Sequence, residues 1–500
     1  MISAPTGLAF VARKANTHLS GSCFGLAPMT SLDKIERGPV APSGRHLAVE
    51  LTETLKLAVP ITLTQLGQIA MMTTDLALIG RLGEGAVAAA ALASTVFWIS
   101  FTCGMGLVSA VAPLAAQAFG ARNPRVVRHA LRVGLWAALL ISLPIMVFSL
   151  YGEQILLALH QTSTTAHLAQ RYLFGLVWGI APALWFLAIR GFMGAVNRPE
   201  PGLWITLAAI PANAMLVYLL IHGGLGLPRL ELFGAGLATT IINFGMFLAA
   251  LWVAHDRRPF RKYRILQHVW RIDWMLMRQL VLIGAPISIS FLSEYGLFAA
   301  AALLMGLIST TALAAHQVAL QVTAILFMVP FGIGMAATVR VGHALGRGDS
   351  AAVRRAGFVA AWLGIALVSA LTLAVALGRF AIARLFFGEA VEDGGVVIEL
   401  TATLLMVGAT FFVADGIQTI AAGALRGMND TRIPLMFAAI SYWMIGFPAA
   451  YGLAFGTALG AVGVWIGLAG GTAVYAILLV LRFRLLTAHL ESATPAKGWR

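Results

Sequence analysis

Residues 280–308 read LVLIGAPISISFLSEYGLFAAAALLMGLI, an apolar run that contains a single acid, Glu294. A helix needs ~20 mainly apolar residues to cross the hydrocarbon core of a bilayer, so this run is long enough to span one. Transmembrane β-strands are ~10 residues long and alternate in polarity, which this run does not. The stretch therefore predicts a membrane-spanning helix that keeps a carboxyl group inside the apolar layer.

Similar apolar runs recur along the chain, separated by short connections with Gly, Pro or charged residues. The twelve predicted spans are 55–79, 86–117, 129–150, 168–189, 202–221, 233–254, 280–308, 312–339, 356–377, 396–425, 435–456 and 460–481. Charged residues make up only 11% of the sequence, against ~25% in soluble domains. The composition thus excludes a soluble protein and predicts an all-α polytopic membrane protein.

The formal net charge of +14 is distributed unevenly among the connections. Alternate connections carry most of the basic residues: Arg122, Arg125, Arg128, Arg132, Arg257, Arg258, Arg261, Lys262, Arg264, Arg271, Arg278, Arg340, Arg347, Arg354 and Arg355. Basic connections face the cytoplasm, so the pattern predicts an integral protein of a bacterial inner membrane with both termini cytoplasmic. The basic excess therefore reports topology, and we expect no nucleic-acid partner.

The two halves of the chain match each other at a shift of 226 residues, which places Pro60 on Pro286 and Gly106 on Gly332. Parallel repeats of six spans are typical of transporters that bind substrate between the halves. The predicted organisation is a polar cytoplasmic tail (1–54), a six-helix lobe (55–254), a basic linker (255–279), a second six-helix lobe (280–481) and a cytoplasmic tail (482–500). The two bundles are expected to be pseudo-symmetric.

Three acids lie inside the predicted spans: Asp75, Glu294 and Asp415. Inserting each costs about 3 kcal/mol, and we expect no Lys or Arg deep enough to pair with them. A carboxylate in a low-dielectric cavity holds a proton or a cation tightly. If an organic cation competes for the same charge, the result is antiport. The alternatives are that the acids serve packing only, or that Asp75 faces an external vestibule.

The surroundings of these acids suit a cavity for cations. Met71 and Met72 lie within a turn of the first acid, and adaptable thioethers suit varied apolar ligands. Gln418 lies three residues after the third acid and can hydrogen-bond it. Phe411 and Phe412 precede that acid by about one turn and offer aromatic faces to a cation. Ordinary packing is the alternative for each Met and Phe.

His316 and Gln317 open the eighth span, where a lone imidazole is more often a packing residue than a proton relay. Pro60 and Pro286 lie inside helices at matching positions, and each removes a backbone hydrogen bond. We therefore expect a kink at both prolines. A mobile hinge is the more specific hypothesis.

Four segments resemble the multidrug and toxic compound extrusion (MATE) family, in its NorM-type branch. They are 68–80 (QIAMMTTDLALIG), 314–319 (AAHQVA), 339–346 (VRVGHALG) and 420–430 (IAAGALRGMND), and the similarity extends over about residues 50–485. The resemblance implies a secondary antiporter that exports cationic or amphiphilic compounds in exchange for Na⁺ or H⁺. We expect no cofactor, no enzymatic activity, no metal other than Na⁺, and a functional monomer.

The resemblance also assigns site residues. It matches Asp75, Glu294 and Asp415 to the family's cation-site acids, Asn213, Thr239 and Thr240 to polar residues of the first lobe, and Pro60 to a proline linked to bending of the first helix. Which threonine points inward stays open. Phe411 stands where some relatives have Tyr, and Val217 where some have Asn or Asp. Na⁺ prefers several oxygen ligands, so these losses favour proton coupling without excluding Na⁺.

Other functions fit the sequence less well. A flippase or an exporter of a lipid-linked or metabolite substrate could share this architecture, but an anionic pyrophosphate would call for basic residues inside the membrane. An intramembrane enzyme would need a nucleophile–base pair or a metal cluster, and the sequence shows neither motif. Cys23 and Cys103 are too few for a thiolate metal site. A channel or receptor has less need of a repeat.

Overall fold

The computed structural model describes residues 43–223, 228–267, 270–387 and 394–493, and these ranges contain helices but no β-strand. The helices are α1 (Ser43–Gly80), α2 (Glu84–Gly120), α3 (Pro124–Leu150), α4 (Gly152–Ala158), α5 (Ser163–Val177), α6 (Ile180–Ala195), α7 (Glu200–His222), α8 (Glu231–Asp256), α9 (Trp274–Ile308), α10 (Thr310–Gly346), α11 (Ser350–Phe387), α12 (Gly394–Gly427), α13 (Arg432–Phe455) and α14 (Ala461–Ala493). The predicted helical fold is confirmed.

Ten helices of the described ranges are long and apolar enough to span a membrane, and the pair α5–α6, bent by 46°, would make eleven. The remaining predicted span, 55–79, lies in α1, which is long enough to cross a membrane but is not among the ten apolar helices. Its segment carries Gln65, Gln68 and Asp75 among several threonines. The polar side chains that make α1 functionally interesting thus also lower its hydropathy.

Two predicted tails are partly helical. Helix α1 begins at Ser43 rather than near residue 55, and α14 continues to Ala493 rather than ending at 481. Ion pairs fix both extensions: Glu50 binds Arg340 at 2.7 Å, and Arg482 binds Asp430 at 2.9 Å. Residues 1–42 and 494–500 of the predicted tails lie outside the described residues.

Contacts between the two halves repeat with the same shift as the sequence. Gly106 packs so closely on Ser288 that a Cβ atom would not fit, and Gly332 packs in the same way on Thr62. Adding 226 to Gly106 and Thr62 gives Gly332 and Ser288. Each close contact therefore has a counterpart at the equivalent positions of the other half, as expected of two repeats related by a pseudo-two-fold axis.

Polar contacts join the halves at the end of the bundle that carries the arginine-rich connections. The guanidinium of Arg340 makes two hydrogen bonds to Glu50, of 2.8 and 2.7 Å. The side chain of Gln117 donates to the carbonyl of Gly427 at 2.8 Å. In the described structure, the two halves are thus held together at this end.

Candidate functional site

Asp75 forms the centre of a polar site within the first half. Its carboxylate is 7% exposed and accepts hydrogen bonds from the amide of Asn213 on α7 and from the hydroxyl of Thr239 on α8, the latter at 3.3 Å. Thr240 turns away and donates to the carbonyl of Gly175 at 2.7 Å. The structure therefore brings Asn213 and Thr239 to the acid, and leaves Thr240 in helix packing.

Glu294 and Asp415 form a second site in the other half. The amide of Gln418 donates to Glu294 Oε1 at 3.0 Å and to Asp415 Oδ1 at 2.8 Å, so one side chain bridges both acids. The hydroxyl of Tyr442 donates to Gln418 Oε1 at 2.6 Å. Asp415, Gln418 and Tyr442 are all buried. The three predicted residues thus meet, together with a tyrosine that the sequence did not single out.

Helix geometry explains the second site. Asp415 and Gln418 are three residues apart on α12 and share a face. Tyr442 lies on α13 in the π-helical stretch Ala439–Gly446, a conformation that often marks functional positions. The sequence gives little to distinguish this residue, since Ser441 and Tyr451 also carry hydroxyls in the same apolar span. Its position relative to Gln418 depends on how α12 and α13 pack, which no local pattern reveals.

Two arginines just beyond the predicted spans 168–189 and 396–425 lie within helices, and neither forms an ion pair with the three acids. Arg190 on α6 is 7% exposed and donates to Gln65 Oε1 at 2.6 Å, while its Nε has no hydrogen-bond partner. Arg426 on α12 lies over the ring of Phe291 at 4.8 Å, one turn of α9 before Glu294. Helix α6 continues past Arg190 to Ala195, whereas Arg426 lies in the last turn of α12.

The three acids nevertheless have neutral donors only. Among the described residues, none of the ion pairs includes Asp75, Glu294 or Asp415. Amide and hydroxyl donors orient a carboxylate but do not cancel its charge. Each site can therefore take up a proton or a small cation without first displacing a bound Lys or Arg.

The aromatic candidates contribute mainly to packing. Phe411 is buried against Trp465, with 5.8 Å between ring centroids. The indole of Trp465 also donates to His316 Nδ1 at 3.2 Å, so this imidazole is a packing residue with one partner. Phe412 packs on the same Trp and lines a small cavity beside Asp415. Gln317 is exposed and lies outside this cluster.

The two methionine candidates differ in burial, and the two proline candidates share one local hydrogen-bond pattern. Met71 is buried, whereas Met72 is 46% exposed. Pro60 and Pro286 lie inside helices α1 and α9, which continue through them. The carbonyl of each proline accepts a hydrogen bond from a hydroxyl four residues later, Thr64 at 2.7 Å and Ser290 at 2.8 Å. The repeat is therefore matched at these polar contacts as well.

Comparison with known proteins identifies the family of the chain. The family model MatE matches residues 60–219 and 286–452. A probable multidrug resistance protein NorM from Bradyrhizobium diazoefficiens is 69% identical over 92% of this chain and 100% of its own length. The corresponding protein of Rhodopseudomonas palustris is 58% identical over 92% of this chain and 98% of its own length.

Solved structures share the fold at lower identity. A MATE transporter in the bent conformation superimposes with a TM-score of 0.81 at 18% identity, over 91% of this chain and 100% of that one. A eukaryotic MATE transporter gives 0.78 at 21% identity, over 89% and 99%. The family model and the sequence relatives together show that the chain is an integral membrane protein of the MATE family, in its NorM-type branch of transporters.

Proposed function

We propose that this transporter is a multidrug efflux antiporter, which exports cationic or amphiphilic organic compounds in exchange for H⁺ or Na⁺. The observation that carries the proposal is that Asp75, Glu294 and Asp415 lie in membrane helices with neutral hydrogen-bond donors only. Such carboxylates attract cations strongly because the surrounding dielectric is low. The names of the NorM relatives, probable multidrug resistance proteins, support efflux of more than one drug.

The transport cycle follows from competition for these charges. With the coupling ion bound, the acids are neutralised and an organic cation has little to attract it. Release of the ion restores the negative charge and allows the organic cation to bind. Lobes 55–254 and 280–481 would expose the cavity to each side in turn, with the polar contacts at the arginine-rich end breaking when that end opens. We place that end and both termini in the cytoplasm of a bacterium. We also propose that a monomer carries out the whole transport cycle.

The identity of the coupling ion depends on the oxygen supply. Phe411 and Val217 each remove an oxygen that some relatives have, which favours H⁺. Tyr442 adds a hydroxyl to the second site through Gln418, which partly offsets the loss. Both ions are therefore included in the proposal, and the experiment below separates them.

Ethidium export from proteoliposomes tests this function. The purified protein is reconstituted, and a Na⁺ gradient and a H⁺ gradient are imposed separately at the same ionic strength. We expect ethidium to move against its gradient with one of the two ions. Export that ignores both gradients would exclude antiport, and export driven by Na⁺ alone would contradict the preference for H⁺.

A flippase for an anionic lipid-linked substrate is not favoured. Arg190 and Arg426, which lie near the ends of helices α6 and α12, are in different halves of the chain. One is hydrogen-bonded to Gln65 and the other lies on the ring of Phe291. They therefore do not form the basic cluster that a pyrophosphate would require.

A further inference from the structure

Two arginines near the start of α3 lie side by side, and neither forms an ion pair with a described acid. Arg128 donates to the side chain of Gln267 at 3.1 Å, and Arg132 donates to the backbone carbonyl of the same residue. Both Nε atoms are buried without a hydrogen-bond partner, and Arg132 is only 5% exposed. The acid Asp273 lies near enough to attract Arg132, but it is half exposed, lies 3.5 Å from His129 and forms no ion pair within 4 Å with either arginine.

This arrangement calls for an anion. Each guanidinium has five N–H donors, and a buried charge without a partner costs free energy. A glutamine is neutral and cannot offset either charge. A phosphate group can, because its oxygens accept paired hydrogen bonds from guanidinium groups.

An apolar stripe begins at the same place on α3. From Arg132 it runs through Trp136, Leu140, Leu143 and Val147, which are three or four residues apart and therefore share one face. The last three are about half exposed, at 47%, 53% and 54%. A basic end followed by an exposed aliphatic face matches a phospholipid, which has a charged headgroup and an apolar chain.

Helix α9 packs on α3. Its exposed residues Arg278, Leu282 and Ile289 repeat the order of a basic residue followed by aliphatic ones. Trp270 and Trp274, which are 82% and 68% exposed, lie at the headgroup end, and the ring of Trp270 is 6.3 Å from that of Trp136. Tryptophan is enriched at the membrane–water interface.

We infer that the groove between α3 and α9 binds an anionic phospholipid, with its phosphate on Arg128 and Arg132 and an acyl chain along Leu140 and Leu143. Because α3 belongs to the first half of the chain and α9 to the second, this lipid contacts both halves where the linker joins them. The inference depends on the membrane location and is independent of the coupling ion.

Tryptophan quenching by brominated lipids tests the groove. The full-length protein is reconstituted in phosphatidylcholine, and brominated phosphatidylglycerol or brominated phosphatidylcholine with the same chains is titrated in. We expect about tenfold preference for phosphatidylglycerol, which the double variant Arg128→Gln/Arg132→Gln abolishes. The matched control Arg354→Gln/Arg355→Gln removes two exposed charges from the arginine-rich end and should keep the preference.

Thermal unfolding separates a lipid site from a purely structural role. We expect the wild type to unfold at a higher temperature in phosphatidylglycerol than in phosphatidylcholine, and the double variant to unfold at the same temperature in both. Equal destabilisation of that variant in both lipids, an unchanged lipid preference, or an equal loss in the control would overturn the inference. So would competition by millimolar inorganic phosphate, which would indicate a site for free anions.

Discussion

The two acidic sites differ in how much negative charge they concentrate. Asp75 is a single carboxylate with two neutral donors that come from two other helices, α7 and α8. Glu294 and Asp415 are two carboxylates that share the amide of Gln418. Like charges this close repel each other, so we expect the second site to depend more strongly on a bound proton or cation. On our proposal the first site holds one negative charge, whereas the second holds two that share a hydrogen-bond network.

Neutralising the acids should have the largest effect. We expect Asp415→Asn and Asp75→Asn to reduce gradient-driven ethidium export by about 30-fold or more, since interactions with a buried charge are worth about 2 kcal/mol or more. The measurement is the initial export rate from proteoliposomes. The control Asp256→Asn changes an exposed acid at the end of α8 and should leave the rate unchanged. Full export by both site variants would contradict the assignment.

Removing the amide that bridges Glu294 and Asp415 should destabilise the protein more than removing the amide that binds Asp75. Gln418→Leu leaves two carboxylates and the Tyr442 hydroxyl without a shared partner, at a cost of about 3 kcal/mol. Asn213→Leu removes a single bond to Asp75 and should cost about half as much. Melting temperatures in detergent compare the two variants. An equal shift would show that Gln418 does not couple the acids.

The tyrosine hydroxyl should have a smaller effect. Tyr442→Phe keeps the ring in place and removes the hydrogen bond to Gln418, for an expected loss of about 1 kcal/mol. Because the hydroxyl holds the amide toward both acids, we expect a change in the ion concentration that gives half-maximal export. Tyr451→Phe, at a residue that is 55% exposed, is the control. Identical ion dependence of Tyr442→Phe and wild type would remove Tyr442 from the site.

The threonine pair should give the smallest and most discriminating effect. Thr239→Val removes a donor of Asp75 and should change export by a few-fold, with little change in stability. Thr240→Val removes the bond to the Gly175 carbonyl and should lower stability by about 1 kcal/mol while the ion dependence stays the same. The opposite pattern would show that Thr240 faces the acid.

The sequence predicted what depends on local pattern. Spans, the repeat and the three acids follow from hydropathy and from residues that are costly to insert, and the Asp415–Gln418 pair follows from helical spacing. Tyr442 and Arg426 were missed because their proximity to the second site depends on packing between helices. Residues 43–54 are polar and so resemble a tail, although α1 begins at Ser43 and an ion pair between Glu50 and Arg340 fixes this segment. Twelve apolar spans were expected, but α1 is too polar to be counted among them.

Charge movement on a solid-supported membrane tests the central claim most directly. A jump in Na⁺ or H⁺ concentration is applied without ethidium, so that only binding of the coupling ion is recorded. We predict a transient current for the wild type, a reduced current for Asp75→Asn or Glu294→Gln/Asp415→Asn, and no current for the triple variant. A triple variant with the full wild-type current would contradict the account, because the coupling ion would then bind elsewhere.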